Sequence, residues 1–356
     1  MAETKEEILK KIKDDYNSYT AFEVQQFPIK NIISADELLK AVNDDTEIVD
    51  AIKRYSGPIL EHYTNEIPRK IKDYCTEIFF WGLPAAGKTW ALAGILNTIN
   101  TGGYFEPYGN TSSEKCISSD YLNGLLNVIN EKKAINYLPN KTSNETIRYM
   151  NFKLLKAGEE RKVAFIDLSG ELVKAIAGEN VIKNHIDLEE ERILLERLLR
   201  NKNRKIHFFF IDYERDKNIN SIEQQRNYFT NLSVVFNSKG YFEKNTDFIY
   251  IVITKSDMID CAENQRRNKA IRYFNEDYVN FRNNLGKICQ DNEINFGDEY
   301  KKGDYSFLDD YVLDFSMGEV LFLRMCRFNK KSSGKIVNIL LEKVQKERSG
   351  KFSIFD

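Results

Sequence analysis

Apolar residues follow two alternating patterns along this chain: short continuous runs, and longer stretches with an apolar residue every three or four positions. Continuous runs of four to eight apolar residues are typical of buried β-strands, whereas the wider spacing is typical of helices. Strands and helices that alternate usually form a mostly parallel sheet covered by helices. We therefore predict an α/β fold, with such strands at 78–81, 162–167, 206–212, 248–253 and 311–315.

Two further signals complete the predicted elements. Residues 147–154 alternate between apolar and polar positions, and a turn at 157–160 joins them to the run at 162–167, so the two runs are predicted to form a hairpin. The stretch 100–141 is rich in Gly, Asn, Ser and Tyr, and connections of this length are usually functional or mobile. Helices are predicted at 119–130, 188–199, 222–236, 262–290 and 332–344, and residues 320–328 are predicted to add a strand.

Residues 1–72 have a helical character of their own. Ile8, Leu9, Ile12 and Tyr16 have helical spacing, and the sequence Ser-Ala-Asp-Glu at 34–37 is a capping box. Two interpretations are open: a helical extension packed on the rest of the chain, or a regulatory or partner-binding module. We expect residues 349–356 to form a C-terminal tail.

The composition excludes several classes of protein. The 52 basic and 54 acidic residues give a net charge of −2, so no overall field attracts nucleic acid or an acidic membrane. Five scattered cysteines, none in a Cys-x-x-Cys spacing, favour neither a disulfide framework nor a zinc site. The charged N-terminus does not resemble a signal peptide, and no run approaches the roughly 18 apolar residues of a membrane helix, so we expect a cytoplasmic location.

The strand at 78–81 runs into the sequence Gly82-x4-Gly87-Lys88-Thr89, and helix-forming residues follow. The glycines let the backbone approach a phosphate closely, so that consecutive N–H groups and the N-terminus of the next helix point at the anion. Lys88 would act as a point charge on the outer phosphates, and the Thr89 hydroxyl would bind Mg²⁺. This strand–loop–helix context is what a phosphate-binding loop requires.

The strand at 162–167 ends in Asp167-Leu168-Ser169-Gly170-Glu171. A carboxylate at the end of a buried strand beside a phosphate loop can hold Mg²⁺ directly or through water. The Gly170 N–H can meet the terminal phosphate, which would make this turn sensitive to the presence of that phosphate.

The strand at 248–253 continues into Thr254-Lys255-Ser256-Asp257. A carboxylate at Asp257 can accept two hydrogen bonds from guanine, one from the ring N–H and one from the exocyclic amine, whereas adenine offers no such pair of donors. Because an unpaired buried polar group is costly, such a site rejects the wrong base. The Lys255 stem would lie over the base.

These motifs, in this order and followed by Ser316 at the end of a last strand, resemble the Ras-like P-loop GTPases over about residues 75–345. The segments Gly-Leu-Pro-x-x-Gly-Lys-Thr and Asp-x-Ser-Gly-Glu, together with 315–320, are most similar to bacterial double-GTPase families, which are linked to multi-protein conflict or signalling systems. The resemblance implies a three-layer sandwich around a mostly parallel six-stranded sheet, with the GTPase domain at 73–348. It also implies Mg²⁺ and GTP or GDP as ligands, and a protein partner.

The same resemblance assigns roles to individual residues. Lys88, Gly170 and Glu171 would serve catalysis, and Asp167 and Gly170 would form the second switch. Thr89 and Asp167 would bind the metal with a threonine of the first switch, for which Thr146 and Thr142 both remain open and Thr146 has the better spacing. The nucleotide would be bound by Gly82, Ala85, Ala86, Gly87, Lys88, Thr89, Trp90, Thr254, Lys255, Asp257, Ser316 and Met317.

Two departures from the family's pattern bear on activity. Pro84 stands where many Ras-like loops have glycine, at the place where an arginine finger passes. This departure argues against activation by a Ras-type partner. Glu171 stands in the place of the water-orienting glutamine, so we expect slow hydrolysis. Two other functions stay open: a scaffold that binds guanine nucleotide and scarcely hydrolyses it, and an ATP-using enzyme in which Asp257 is incidental.

Overall fold

A computed structural model describes residues 71, 75–108, 119–133, 135–139, 147–178, 189–213, 215–218, 224–242, 245–295, 301–322 and 325–344. Apart from Ile71, the predicted helical region 1–72 lies outside the described residues, as does the predicted tail 349–356. The division of the chain into these parts therefore stays a prediction.

The described residues form an α/β fold around a seven-stranded sheet of order β2-β4-β5-β1-β6-β7-β8. Strands β5, β1, β6, β7 and β8 are parallel, whereas β4 is antiparallel to β5 and β2 is antiparallel to β4. The strands are β1 Thr76–Trp81, β2 Phe105–Glu106, β3 Asn136–Tyr137, β4 Ile147–Lys156, β5 Glu159–Leu168, β6 Arg204–Asp212, β7 Thr246–Thr254, β8 Val312–Asp314, β9 Gly318–Phe322 and β10 Met325–Phe328.

Helices cover both faces of this sheet. They are α1 Lys88–Thr101, α2 Ser119–Val128, α3 Gly170–Ala177, α4 Glu189–Arg200, α5 Gln225–Lys239, α6 Arg266–Asp277, α7 Val279–Asp291 and α8 Lys331–Lys343. Short 3-10 turns lie at Arg215–Asn218, Ser256–Met258, Glu263–Gln265 and Ser306–Tyr311.

The two faces of β1 belong to two separate cores. Phe79 and Trp81 pack into one core with α3, α4, α5, α6 and α7. Ile78 and Phe80 pack into the other core with α1, α2 and α8. Because neighbouring side chains of a strand point to opposite faces, a fully apolar run is the pattern of a strand buried on both sides. The predicted hairpin at 147–167 is confirmed, since Ile147 pairs with Leu168 and Lys156 pairs with Glu159.

Three sequence predictions of the fold need correction. The sheet has seven strands, not six, because the two-residue strand β2, too short for a periodic signal, pairs with the edge of β4. The single strand predicted at 320–328 is the antiparallel pair β9 and β10, which forms a separate sheet with β3. The helical stretch 262–290 begins with a 3-10 turn and is divided at Tyr278, which is buried between α6 and α7.

Among the described residues, no helix is both long enough and apolar enough to cross a membrane.

Candidate functional site

The loop between β1 and α1 lies at the carboxyl edge of the parallel strands and has little space around it. A Cβ atom on Gly82 would be 2.9 Å from the carbonyl oxygen of Phe210 in β6. Gly87 precedes α1 with a φ of 77°, in the left-handed region that favours glycine. Ala85 also has a positive φ, 62°, which is unfavourable for a residue with a side chain. The loop is therefore held in a conformation that its neighbours must support.

Lys88 is buried at the start of α1 and folds back over this loop. Its Nζ atom donates to the carbonyl oxygen of Gly82 at 2.6 Å and to that of Leu83 at 3.3 Å. Burial lowers the pKa of Lys88 to about 8, and the nearby carboxylate of Asp167 opposes that shift. The ammonium group thus lies inside the predicted phosphate loop.

Asp167 lies near the end of β5 and is buried. Its Oδ2 atom accepts a hydrogen bond from the Tyr121 hydroxyl at 3.2 Å, whereas Oδ1 has no hydrogen-bond partner in the described part of the chain. Burial raises the pKa of this carboxyl group, and the positive charges of Lys88 and Arg148 act against the increase. A buried carboxylate oxygen without a donor is a suitable ligand for a hard cation.

The protein oxygen atoms near Asp167 fit a Mg²⁺ site only if a bound nucleotide supplies further oxygen ligands. Within the described ranges, no group of three or more His, Cys, Asp or Glu side chains could hold a metal ion. Thr89, in the first turn of α1, and Asp167 offer one hydroxyl and one carboxylate, and Mg²⁺ bound with nucleotides usually takes its other ligands from phosphates and water. Thr146 and Thr142, the alternative third ligands, lie outside the described residues.

Gly170 begins α3 directly against the predicted phosphate loop. A Cβ atom at this position would be 2.2 Å from the backbone nitrogen of Pro84, so no larger residue fits without displacing the loop. Ser169 caps the helix by accepting a hydrogen bond from the Leu172 N–H at 3.1 Å. Glu171 follows in the first turn of α3, and its carboxylate is close enough to Lys88 to raise the pKa of the lysine.

The end of β7 lies beside the same loop. A Cβ atom on Gly87 would be 3.9 Å from the Thr254 Cβ, which is ordinary contact distance. Lys255 has a φ of 55°, and its Nζ atom pairs with the buried Asp212 Oδ2 at 2.7 Å. Asp257 lies in the following 3-10 turn and is exposed. The predicted base-reading segment and the predicted phosphate loop are thus neighbours at one edge of the sheet.

The segment after β8 packs beside Asp257. The Ser256 N–H donates to the Phe315 carbonyl oxygen at 3.1 Å, and the Ser316 N–H donates to the Ser332 hydroxyl at 3.1 Å. Met317 lies on α1, where its sulfur would be 3.1 Å from a Cβ atom on Gly94. Asp257, Ser316 and Lys331 line a polar cavity of about 790 Å³.

Trp90, also predicted to bind the nucleotide, lies in the first turn of α1. Its indole Nε1 donates to the Pro139 carbonyl oxygen at 2.7 Å, which joins α1 to the segment that precedes residues 140–146. Ala86 completes the loop, with its N–H donating to the Leu83 carbonyl oxygen at 3.3 Å. The structure therefore brings the described members of the predicted site to one edge, and their roles stay predictions.

Three side chains at this edge carry no motif and escape sequence reasoning. Tyr121 reaches Asp167 from α2, and Arg148 lies over the Tyr121 ring with its guanidinium carbon 4.0 Å from the ring centre. Arg215 donates to the Pro84 carbonyl oxygen from the 3-10 turn after β6. Of the three, only Arg148 could have been predicted to lie near Asp167. The predicted hairpin pairs these two residues, and opposite charges directly across two strands stabilise each other.

No protein-family model and no curated protein matches the chain. Among solved structures it is similar to Roco2 RocCORdC of Methanosarcina barkeri, bound to GDP, with 11% identity and a TM-score of 0.30; the match covers 79% of this chain and 52% of that one. It is also similar to the signal recognition particle receptor SRb-GTP/SRX complex from Chaetomium thermophilum, with 13% identity and a TM-score of 0.30, covering 69% of this chain and 94% of that one. The chain thus spans about half the length of the Roco2 chain, and both TM-scores are too low to identify a shared fold.

Proposed function

We propose that this protein binds guanine nucleotide with Mg²⁺ and hydrolyses GTP to GDP and phosphate, acting as a molecular switch. The observation that carries the proposal is the proximity of Gly87, in the predicted phosphate loop, to Thr254, three residues before Asp257: a Cβ atom on Gly87 would be 3.9 Å from the Thr254 Cβ. One ligand with a phosphate chain at one end and a base at the other could span these two segments.

At the phosphate end, the positive charge lies where a polyphosphate needs it. The Lys88 ammonium is buried against the carbonyl oxygens of Gly82 and Leu83, and a bound phosphate would replace these partners with stronger, charge-assisted hydrogen bonds. The N-terminus of the 14-residue helix α1 adds N–H donors aimed at the same anion.

At the base end, Asp257 is exposed at the wall of the cavity and available to accept the two guanine donors. The hydrogen bond between Ser256 and Phe315 holds this turn against the segment of Ser316 and Met317. Two loops that support each other give a pocket of fixed width, and fixed donors and acceptors are what discrimination between bases requires.

Catalysis would consist mainly of positioning and electrostatic stabilisation. Lys88 would neutralise charge that develops on the outer phosphates, and Glu171 or a backbone carbonyl would orient the attacking water. Mg²⁺, held by Thr89 and Asp167, would supply further positive charge at the phosphates. Because Gly170 packs on Pro84, a terminal phosphate that contacts Gly170 N–H would bias the position of α3. Service in a bacterial multi-protein system, with a protein partner, stays a prediction from the resemblance.

The test is a competition experiment with the full chain and a fluorescent GDP analogue in the presence of Mg²⁺. We expect excess GTP and GDP to displace the analogue and excess ATP to leave it bound. Asp257→Asn should weaken guanine binding and favour xanthine nucleotides, because an amide side chain matches the carbonyl group that xanthine has in place of the amine. Displacement by ATP as effective as that by GDP would contradict guanine recognition and favour the ATP-using alternative.

A non-hydrolysing scaffold is the second candidate, and the position of Glu171 favours it. This carboxylate lies near Lys88, where it would repel a terminal phosphate instead of donating to it. Single-turnover phosphate release with Mg²⁺ separates the two functions. Release no faster than that of free GTP, from protein that binds GTP, would favour the scaffold.

A further inference from the structure

Arg215 touches the phosphate-binding loop from outside its motif. Its Nη1 atom donates to the carbonyl oxygen of Pro84. Arg215 is also close enough to Lys88 to lower the pKa of the lysine. A second cation therefore lies beside the loop, 131 positions along the chain from its contact.

The turn that carries Arg215 is fixed on both sides. Before it, the side chain of Gln225 accepts from the Asp212 N–H at 3.0 Å and donates to the Asp212 carbonyl oxygen at 3.1 Å. After it, the Asp216 carboxylate accepts from the Gln225 N–H at 2.6 Å and from the Arg226 N–H at 3.0 Å, at the start of α5. Both contacts join this part of the chain to the start of the 15-residue helix α5, which limits where the turn can place Arg215.

The acceptor of this hydrogen bond belongs to the peptide group between Pro84 and Ala85. The described residues contain no cis peptide bond, and in a trans peptide the C=O and the N–H point in opposite directions. A donor that fixes the Pro84 carbonyl therefore also fixes the direction of the Ala85 N–H. Ala85 has a φ of 62°, which is unfavourable for a residue with a side chain, and an external contact can offset that cost.

We infer that Arg215 is a positioning residue of the nucleotide site: by holding the Pro84 carbonyl oxygen, it turns the Ala85 N–H towards the phosphate chain of the bound nucleotide. Pro84 itself has no N–H to offer, so Ala85 carries the next backbone N–H of the loop after that of Leu83. The inference rests on the proposed function and adds a residue to it.

The experiment compares the wild type with Arg215→Met, which keeps most of the stem and loses the donors, and with Arg215→Lys, which keeps a donor. Arg272→Met is the matched control, because Arg272 pairs with Glu276 on the surface of α6. The readouts are affinity for fluorescent GDP and GTP with Mg²⁺, the ratio of GTP to ATP in competition, single-turnover GTP hydrolysis, and thermal unfolding of the nucleotide-free protein.

For Arg215→Met we expect about tenfold weaker GDP and GTP binding and about tenfold slower hydrolysis. The discrimination between GTP and ATP should not change, because Arg215 acts at the phosphate end and not at the base. Arg215→Lys should stay within about threefold of the wild type, and Arg272→Met should equal it.

Three results would overturn the inference while the proposed function stands: wild-type binding and hydrolysis by Arg215→Met, loss of base discrimination in that variant, or a folded Arg215→Lys protein as defective as the methionine variant. If Arg215→Met does not fold, Arg215→Lys alone tests the inference. Nucleotide binding by the lysine variant close to that of the wild type supports the donor role, and defective binding by the folded lysine variant overturns it. A wild-type protein that binds neither GDP nor GTP would instead overturn the proposed function itself.

Discussion

Gly170 lies against Pro84 so closely that a Cβ atom on the glycine would be 2.2 Å from the proline nitrogen. This contact joins the first turn of α3 to the predicted phosphate loop, although two helices and four strands of the described residues lie between the two positions along the chain. A change at one of these residues must therefore displace the other.

Gly170→Ala should destabilise the fold and deform the loop. The added methyl group would overlap backbone atoms, which cannot rotate away, so we expect a loss of about 1–3 kcal/mol in the free energy of unfolding. Chemical denaturation of the nucleotide-free protein measures it. Gly334→Ala is the control, because a Cβ atom there meets nothing within 4 Å and alanine favours the helix α8 by up to about 1 kcal/mol. Equal stability of the two variants would contradict the contact.

Asp167→Asn should separate stability from Mg²⁺ binding. The buried carboxyl group has a raised pKa, so its ionised form is unfavourable in the nucleotide-free protein and the amide should not reduce the stability. We expect an unchanged free energy of unfolding, or an increase of up to about 1 kcal/mol, together with loss of the Mg²⁺-dependent part of GTP affinity. Titrations of GTP with and without Mg²⁺ measure the second effect, and Mg²⁺ enhancement equal to that of the wild type would exclude Asp167 as a ligand.

Asp212→Asn should accelerate nucleotide release without altering the preference between GTP and GDP. Asp212 is buried and pairs with the Lys255 ammonium at 2.7 Å, so loss of its charge should free the lysine to leave the base. We expect GDP to dissociate several-fold faster and the ratio of GTP to GDP affinity to stay constant.

Asp247→Asn provides the matched control for that measurement. Asp247 pairs with Arg204 at 2.5 Å near the amino ends of β7 and β6, at the opposite edge of the sheet. Its loss should affect stability and leave GDP dissociation unchanged. Equal dissociation rates in the two variants would show that the Asp212–Lys255 pair has no role in holding nucleotide.

Glu77 should make the stability depend on pH. Its side chain is buried in β1, where Asn201 and Asn203 donate to it at 2.8–2.9 Å and Lys205 lies nearby. Burial raises the pKa of Glu77 from 4.5 to about 7, against the effect of these partners. The folded protein thus binds a proton that the unfolded chain releases, so this contribution is full below pH 4.5 and is lost as the pH rises through 7.

Glu77→Gln removes this dependence. The stability of the variant relative to the wild type should increase between pH 4.5 and 7 by on the order of 3 kcal/mol, at about 1.4 kcal/mol per pKa unit. Denaturant unfolding at several pH values measures it. The comparison must be relative to the wild type, because burial lowers the pKa of His207 and adds an opposite slope in the same range. Glu160→Gln, at an exposed position, is the control and should show no such change in relative stability. A relative stability of Glu77→Gln that does not change with pH would contradict the prediction, because it would mean that the Glu77 carboxyl group is already ionised at pH 5.

Local sequence was enough for most of the described elements. The apolar runs of β1, β6 and β7 lie in strands that are buried on both faces, where most side chains are apolar whichever elements pack against them. The hairpin of β4 and β5 was also predictable, because its turn and its alternation lie within one continuous segment. The pair β9–β10 was not predictable, since no Gly, Pro, Asn or Asp separates the two strands.

The candidate site divides in the same way. Gly82, Gly87, Lys88 and Asp167 belong to motifs whose chemistry depends on spacing within a few residues, so the sequence alone was enough to predict them. Tyr121 and Arg215 come near the predicted phosphate loop and Asp167, and Asp212 comes near Lys255, only because helices and strands far apart in the chain meet at the carboxyl edge of one sheet. Which side chains surround a motif is decided by packing between distant segments, and no short stretch of sequence contains that information.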